Sequence, residues 1–123
     1  MVNKVLLVGR LGADPEVRYT QSGKAVAILS LATNERWKAE DGEVKESTQW
    51  HRVILWNGLA EIAEKYLSKG RLVLIEGSIR YREYEAKNGK KWITEIIAKD
   101  MRMLDSRDKQ ESEEAPEDEE VPF

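Results

Sequence analysis

Ser47 to Asn57, STQWHRVILWN, is the stretch that decides how the rest of the chain is read. Two Trp, a Val, an Ile and a Leu in so short a run are strongly β-prone. Side chains of a strand alternate between faces, so Trp50, Arg52, Ile54 and Trp56 share one face. His51, Val53 and Leu55 share the other, which has the composition of a core. The first face is unusual, because two Trp and an Arg are costly to leave in water without a purpose. Trp offers a broad π-face, and Arg pairs with phosphate and stacks on flat rings. Aromatics interleaved with a cation suit single-stranded nucleic acid, whose bases stack and whose phosphates pair. The alternative is a strand buried on both faces.

Working outward toward the N-terminus, Lys4 to Leu11 is an apolar strand. Gly9 and Gly12 fit close packing or a bulge. They do not form a phosphate loop, since the glycine spacing and the Lys-Ser/Thr ending are missing. Asp14-Pro15 breaks that strand, and Lys24 to Trp37 forms the next. There Ala25, Ala27, Leu29 and Leu31 alternate with Val26, Ile28 and Ser30. Trp37 has the parity of Leu31. It borders the charged loop Lys38 to Glu46 and is expected to be exposed, reaching the other face only past a bulge or a strand end. Asp41-Gly42 marks a hairpin turn in that loop.

Toward the C-terminus the period changes. Leu59, Ile62, Ala63, Tyr66 and Leu67 form one helical stripe, with Asn57 expected as N-cap and Gly70 as the residue after the helix. The helix is expected to plug one end of the sheet. Arg71 to Tyr84 returns to strand, with Gly77 expected to allow a bend and with Ser78, Arg80, Arg82 and Tyr84 on one face. This second aromatic-and-cation face repeats the chemistry of the first; a solvated edge strand is the alternative. Asn88-Gly89 turns the chain into a last strand, Lys91 to Leu104, where Trp92 is expected to be a core aromatic.

Five strands with one helix between the third and fourth predict an all-β fold, a five-stranded OB-fold barrel of the kind that binds oligonucleotides and oligosaccharides. Residues 1–104 form this domain. Residues 105–123 form an acidic tail expected to be disordered.

Composition sets further bounds. The chain has 123 residues, no cysteine and one histidine. That leaves no thiolate metal site or disulfide, and no cofactor or metal is expected. His51 is expected in the core or at a subunit interface rather than in catalysis, so the protein is not expected to be an enzyme. No apolar run reaches membrane-spanning length and no signal peptide opens the chain, so a cytoplasmic protein is expected. Net charge is −3, but it is unevenly placed. Residues 105–123 hold nine acidic and two basic side chains, and residues 1–104 hold eighteen basic and fourteen acidic ones. A mildly basic body with an acidic tail follows.

The stretches NKVLLVGRLGADPEVRY, LATNERW, TQWHRVILW, LAEIAEKYLSKG and IEGSIR, with EDEEVPF at the end, resemble the bacterial single-stranded DNA-binding protein family. The likeness covers nearly the whole chain. It implies a homotetramer that binds single-stranded DNA in replication, recombination and repair. It places stacking aromatics at Trp37, Trp50, Trp56 and Tyr84, and phosphate contacts at Lys4, Arg52, Lys69, Arg80 and Arg82. It also implies that Asp118, Glu119, Glu120, Val121, Pro122 and Phe123 recruit replication, recombination and repair enzymes. Phe123 is the only Phe in the chain. An aromatic anchor beside a free carboxylate suits capture in a basic pocket. Two departures stand out. Gly58 and Glu83 occupy positions that are lysines in better-known members, and the linker before the tip is short. A module for RNA or another oligomer, or an adaptor acting through its tail, are the competing function classes.

Overall fold

A computed structural model describes residues 1–105. Six strands and one helix follow in chain order. They are β1 (Val5–Leu11), β2 (Glu16–Tyr19), β3 (Ala25–Lys38), β4 (Val44–Trp56), α1 (Gly58–Tyr66), β5 (Leu72–Ala86) and β6 (Gly89–Met103). Five of them close into the expected OB-fold barrel in the order β1-β5-β6-β4-β3, with β3 returning to β1 through Arg10↔Ala32 and Leu11↔Leu31. The sixth, β2, pairs with β3 over Ala25 to Ile28. It follows the Asp14-Pro15 break and was not expected, because four residues carry little periodic signal.

The interior is built from the alternate positions that the sequence pattern singles out. Ala25, Ala27, Leu29 and Leu31 of β3, Val53 and Leu55 of β4, and Val73 and Ile75 of β5 are fully buried in one cluster. The helix closes this cluster through Ala60, Ala63 and Leu67. Ile62 and Tyr66 of the expected stripe stay exposed. The buried line is set by the small residues, which let a short helix lie close against the end of the barrel. Asn57 does not cap α1 with its side chain. It turns the chain at a φ of 56°, and its backbone N–H donates to the Ala25 carbonyl. The helix stops at Tyr66, and Gly70 makes the later turn at φ 93°.

Two features of the register place the surface residues. First, β4 and β6 run parallel, through Val53↔Ile96 and Ile54↔Ile97. The hairpins β3–β4 and β5–β6 therefore project from the same end of the barrel, and α1 lies at the other. At about 3.3 Å per residue, the arms reach up to roughly 30 Å and 23 Å beyond that pairing. Second, β3 pairs with β4 without a bulge from Val26↔Trp56 to Lys38↔Val44. Trp37 thus keeps the parity of Leu31, and it is exposed because the arm has left the barrel.

The same geometry corrects the expectation for Trp92. It shares parity with Ile96 and Ala98, which are core residues, but sits on the projecting arm opposite Glu83 and is 68% exposed. Alternation fixes the face of a strand, not whether the barrel extends far enough to cover it.

Candidate nucleic-acid interface

On the outer face of β4, Trp50, Arg52, Ile54 and Trp56 stand across from Ala32, Ser30, Ile28 and Val26 of β3. The small residues opposite Trp50 and Arg52 leave open space. One hollow of about 310 Å³ lies between Trp50, Arg52, Ser30, Asp14 and Glu16. A second, of about 210 Å³, lies between Arg52, Trp56, Arg80, Arg82, Arg18 and Glu95. Arg52 is common to both, so the two hollows adjoin along the line Trp50–Arg52–Trp56.

Trp50 owes its position to a glycine. Its ring lies over Gly12, where an added Cβ would sit 2.7 Å from the Cη2 atom of the indole. The same approach at Gly9 would drive a Cβ into the Ala32 carbonyl. Gly9 in β1 and Gly12 just after it therefore both serve close packing, with Gly12 acting as the bed of a site residue.

The arginines owe theirs to Glu95. This carboxylate is on the outer face of β6, in register with Arg80, yet only 2% exposed because guanidinium groups cover it. Arg52 donates from Nε to Oε2 at 3.0 Å, and Arg82 donates from Nε to Oε1 and from Nη2 to Oε2, both at 3.1 Å. Arg80 Nη2 stands 3.9 Å from Oε1. Burial alone would push the Glu95 carboxyl up, but the hydrogen bonds and charges of Arg82 and Arg52 hold it below the ordinary carboxylate range. Three cations share one anion, so the cluster keeps a surplus of positive charge. Arg52 engages Glu95 only through Nε, which leaves both of its Nη groups clear for an incoming oxyanion.

The structure thus brings together Trp50, Arg52, Trp56, Arg80 and Arg82. Tyr84 lies further out, on the β5–β6 arm beside Lys91, and Trp37 lies on the other arm opposite Lys45. Lys4 forms an ion pair with Glu76 at 3.3 Å. The backbone N–H of Lys69 donates to Asp14, at the rim of the Trp50 hollow. His51 is half-buried and shares a hydrogen bond of 2.8 Å with Thr33 Oγ1. Asp118 to Phe123 lie outside the described residues. Glu95, Gly12 and Arg18 were missed. Parity alone puts Glu95 on the face of Ile93 and Ile97, but its arginine partners emerge only from the pairing of β5 with β6. Among the described residues no group of three or more His, Asp or Glu side chains could hold a metal ion, and no helix is long and apolar enough to cross a membrane.

A small OB-type barrel with stacking-competent aromatics and fixed guanidinium groups on one solvent face defines an oligonucleotide-binding class of protein. Within it, the chain belongs to the Single-strand binding protein family, which matches residues 2–104. It is 48% identical over 107 residues to a Single-stranded DNA-binding protein of Neisseria meningitidis, covering 86% of this chain and 62% of that protein's length. Among solved structures it resembles the Plasmodium falciparum SSB complex with ssDNA, with a TM-score of 0.80 and 38% identity over 85% of this chain and 96% of that one. It also resembles a deletion mutant of the single-stranded DNA binding protein from Thermus aquaticus, with a TM-score of 0.76 and 36% identity over 86% of this chain and 52% of that one.

Proposed function

We propose that the protein binds single-stranded DNA without strong sequence preference, as a non-enzymatic protective coat in replication, recombination and repair. The observation that carries this reading is the line Trp50–Arg52–Trp56, with Arg52 and Arg82 fixed by a buried carboxylate. Bases stack on the indole rings, and phosphates meet the free edges of the guanidinium groups. Stacking tolerates every base, since each has a π-face. Trp37 and Tyr84 extend the track onto the arms, and Lys4 and Lys69 add cations at its margins.

In this reading the working unit is a cytoplasmic, nucleoid-associated homotetramer. Joining several short tracks raises the effective concentration of each later site once the first is filled. Leu6 and Val8, exposed side by side on the outer face of β1, support an assembly larger than one barrel. Residues 118–123 recruit partner enzymes, with Phe123 as the apolar anchor and Asp118 to Glu120 as acidic contacts.

The test is a titration of oligothymidylate followed by tryptophan fluorescence. Quenching on binding is expected, with log K falling against log salt by about 0.7 for each phosphate contacted. A flat salt response would overturn the role given to the arginines. Binding of ribo-oligomers in strong preference to deoxy-oligomers would favour an RNA module instead.

A further inference from the structure

We propose that the β5–β6 arm grips single-stranded DNA on both of its faces, with Tyr81 and Trp92 forming a second stacking platform on the face turned away from Arg80, Arg82 and Tyr84. This rests on the single-stranded DNA binding argued above and extends it to residues with no part in the track so far.

Trp92 is the most exposed of the four Trp, at 68%, and Tyr81 is 62% exposed. The register Tyr81↔Thr94 and Glu83↔Trp92 puts both rings on one face of the hairpin. They are diagonal cross-strand neighbours, about 7–8 Å apart along the backbone and within reach of aromatic side chains. Neither ring has a hydrogen-bond or cation–π partner among the described residues. Exposed side chains of this size on adjacent strands form a continuous apolar surface rather than scattered single residues.

The occupant follows from charge and from continuity. Residues 80–94 carry five basic and two acidic side chains. Lys87, Lys90 and Lys91 at the arm's tip have no ion-pair partner among the described residues, and Lys90 shares the face of Trp92. A ligand offering flat rings and anionic groups together fits that surface, and single-stranded nucleic acid offers both. The path is short. Tyr84 stands opposite Lys91, and Trp92 is the next residue along β6, pointing to the other side. The β6 edge from Gly89 to Glu95 is not paired by β4, whose contact with β6 is limited to Ile96 and Ile97. A strand stacked on Tyr84 can therefore round this two-stranded ribbon, about 5 Å between strands, and continue onto Trp92 and Tyr81.

The test compares the full-length wild type with a Trp92→Ala and Tyr81→Ala double variant, and with Trp50→Ala, on oligothymidylates of increasing length. The double variant is expected to keep its melting temperature, since neither ring is packed. It should match wild type on the shortest oligomer that binds and lose about tenfold or more in affinity on longer ones. Iodouracil-substituted oligomers should also photocross-link to Trp92 or Tyr81 in the wild type. Equal affinity at every length, with no crosslink on the arm, would overturn the proposal. So would a loss of affinity that tracks a change in sedimentation, which would mark the pair as a contact between copies. If Trp50→Ala weakens binding and the double variant does not, only the second platform fails. If wild type binds no oligomer, the DNA-binding reading fails with it.

Discussion

Arg82 closes a two-bond fork on Glu95, donating Nε to one carboxylate oxygen and Nη2 to the other, each at 3.1 Å. The pair joins β5 to β6 on the outer face and, through Arg52, ties both to β4. The folded state holds the Glu95 carboxyl below its ordinary range, so the unfolded chain takes up a proton at higher pH than the folded one. The stabilisation is therefore present above the ordinary carboxylate pKa and is lost as pH falls through the depressed folded value. Glu95→Gln should cost about 1–3 kcal/mol near pH 7, toward the lower end because the arginines are partly solvated. Thermal melts from pH 7 downward should show the gap between variant and wild type closing in acid. A gap that stays constant with pH would show that the charge of Glu95 does not matter.

Gly12 gives a test that leaves every charge in place. Its φ is not in the left-handed region, so alanine is acceptable to the backbone, but a methyl group there collides with the Trp50 indole. Gly12→Ala should tilt Trp50 off its bed and weaken oligothymidylate binding by about 1–3 kcal/mol, the scale of one lost stacking contact. The fluorescence of free protein should shift as the ring moves. Unchanged affinity would mean that the position of Trp50 is not set by Gly12.

The four aromatics of the proposed track differ in setting. Trp50 and Trp56 flank Arg52 on the barrel, whereas Trp37 and Tyr84 are on the arms. Each change to Ala should weaken binding by about 1–3 kcal/mol with the barrel still folded. Trp37 keeps the parity of Leu31, so its contribution requires the strand to reach the inner side of the β3–β4 arm. Full affinity in Trp37→Ala, beside losses in the other three, would confine the track to the outer face.

The barrel was legible in the sequence because its signals are local. Alternation in β3 and β4, the switch to a helical period after Asn57, and the turns at Asp41-Gly42 and Asn88-Gly89 all survive in the structure. The face shared by Trp50, Arg52 and Trp56 was legible for the same reason. What stayed hidden depends on which strands meet and where the barrel ends. Glu95 reads as an ordinary strand carboxylate until Arg80 and Arg82 are registered beside it. Trp92 reads as core until the hairpin is seen to outrun the barrel wall. Asp105 reads as the first tail residue, yet its side chain accepts hydrogen bonds from Arg71 Nε at 2.8 Å and from the Leu72 N–H at 3.1 Å.

Assembly can be tested on β1. Leu6 and Val8 face outward, and β3 pairs with β1 only at Arg10 and Leu11, so the edge from Val5 to Gly9 is unpaired on that side in one barrel. Such an edge invites a second chain. Sedimentation should give four times the 14.1 kDa chain mass. Leu6→Asp should shift it toward smaller species while leaving the barrel fold intact. A 14.1 kDa species in the wild type at micromolar concentration would refute the tetramer.

The described residues end at Asp105, and the Arg71–Asp105 pair fixes that point beside the C-terminal end of α1, opposite the arms. Residues 106–123 could span at most about 60 Å if fully extended, several times the radius of a domain this size. The acidic stretch can therefore reach the arginine face of its own barrel. Its charge is expected to favour that contact when DNA is absent, with screening over about 8 Å at physiological salt weakening it. Deleting residues 118–123 should raise affinity for oligothymidylate modestly at low salt and hardly at all at high salt. Phe123→Ala should leave DNA affinity alone and abolish capture of partner enzymes, because it removes the apolar anchor without changing charge. Full partner binding by Phe123→Ala would reduce the tip to a solubilising segment. A DNA affinity blind to the deletion at every salt concentration would show that tail and DNA do not compete.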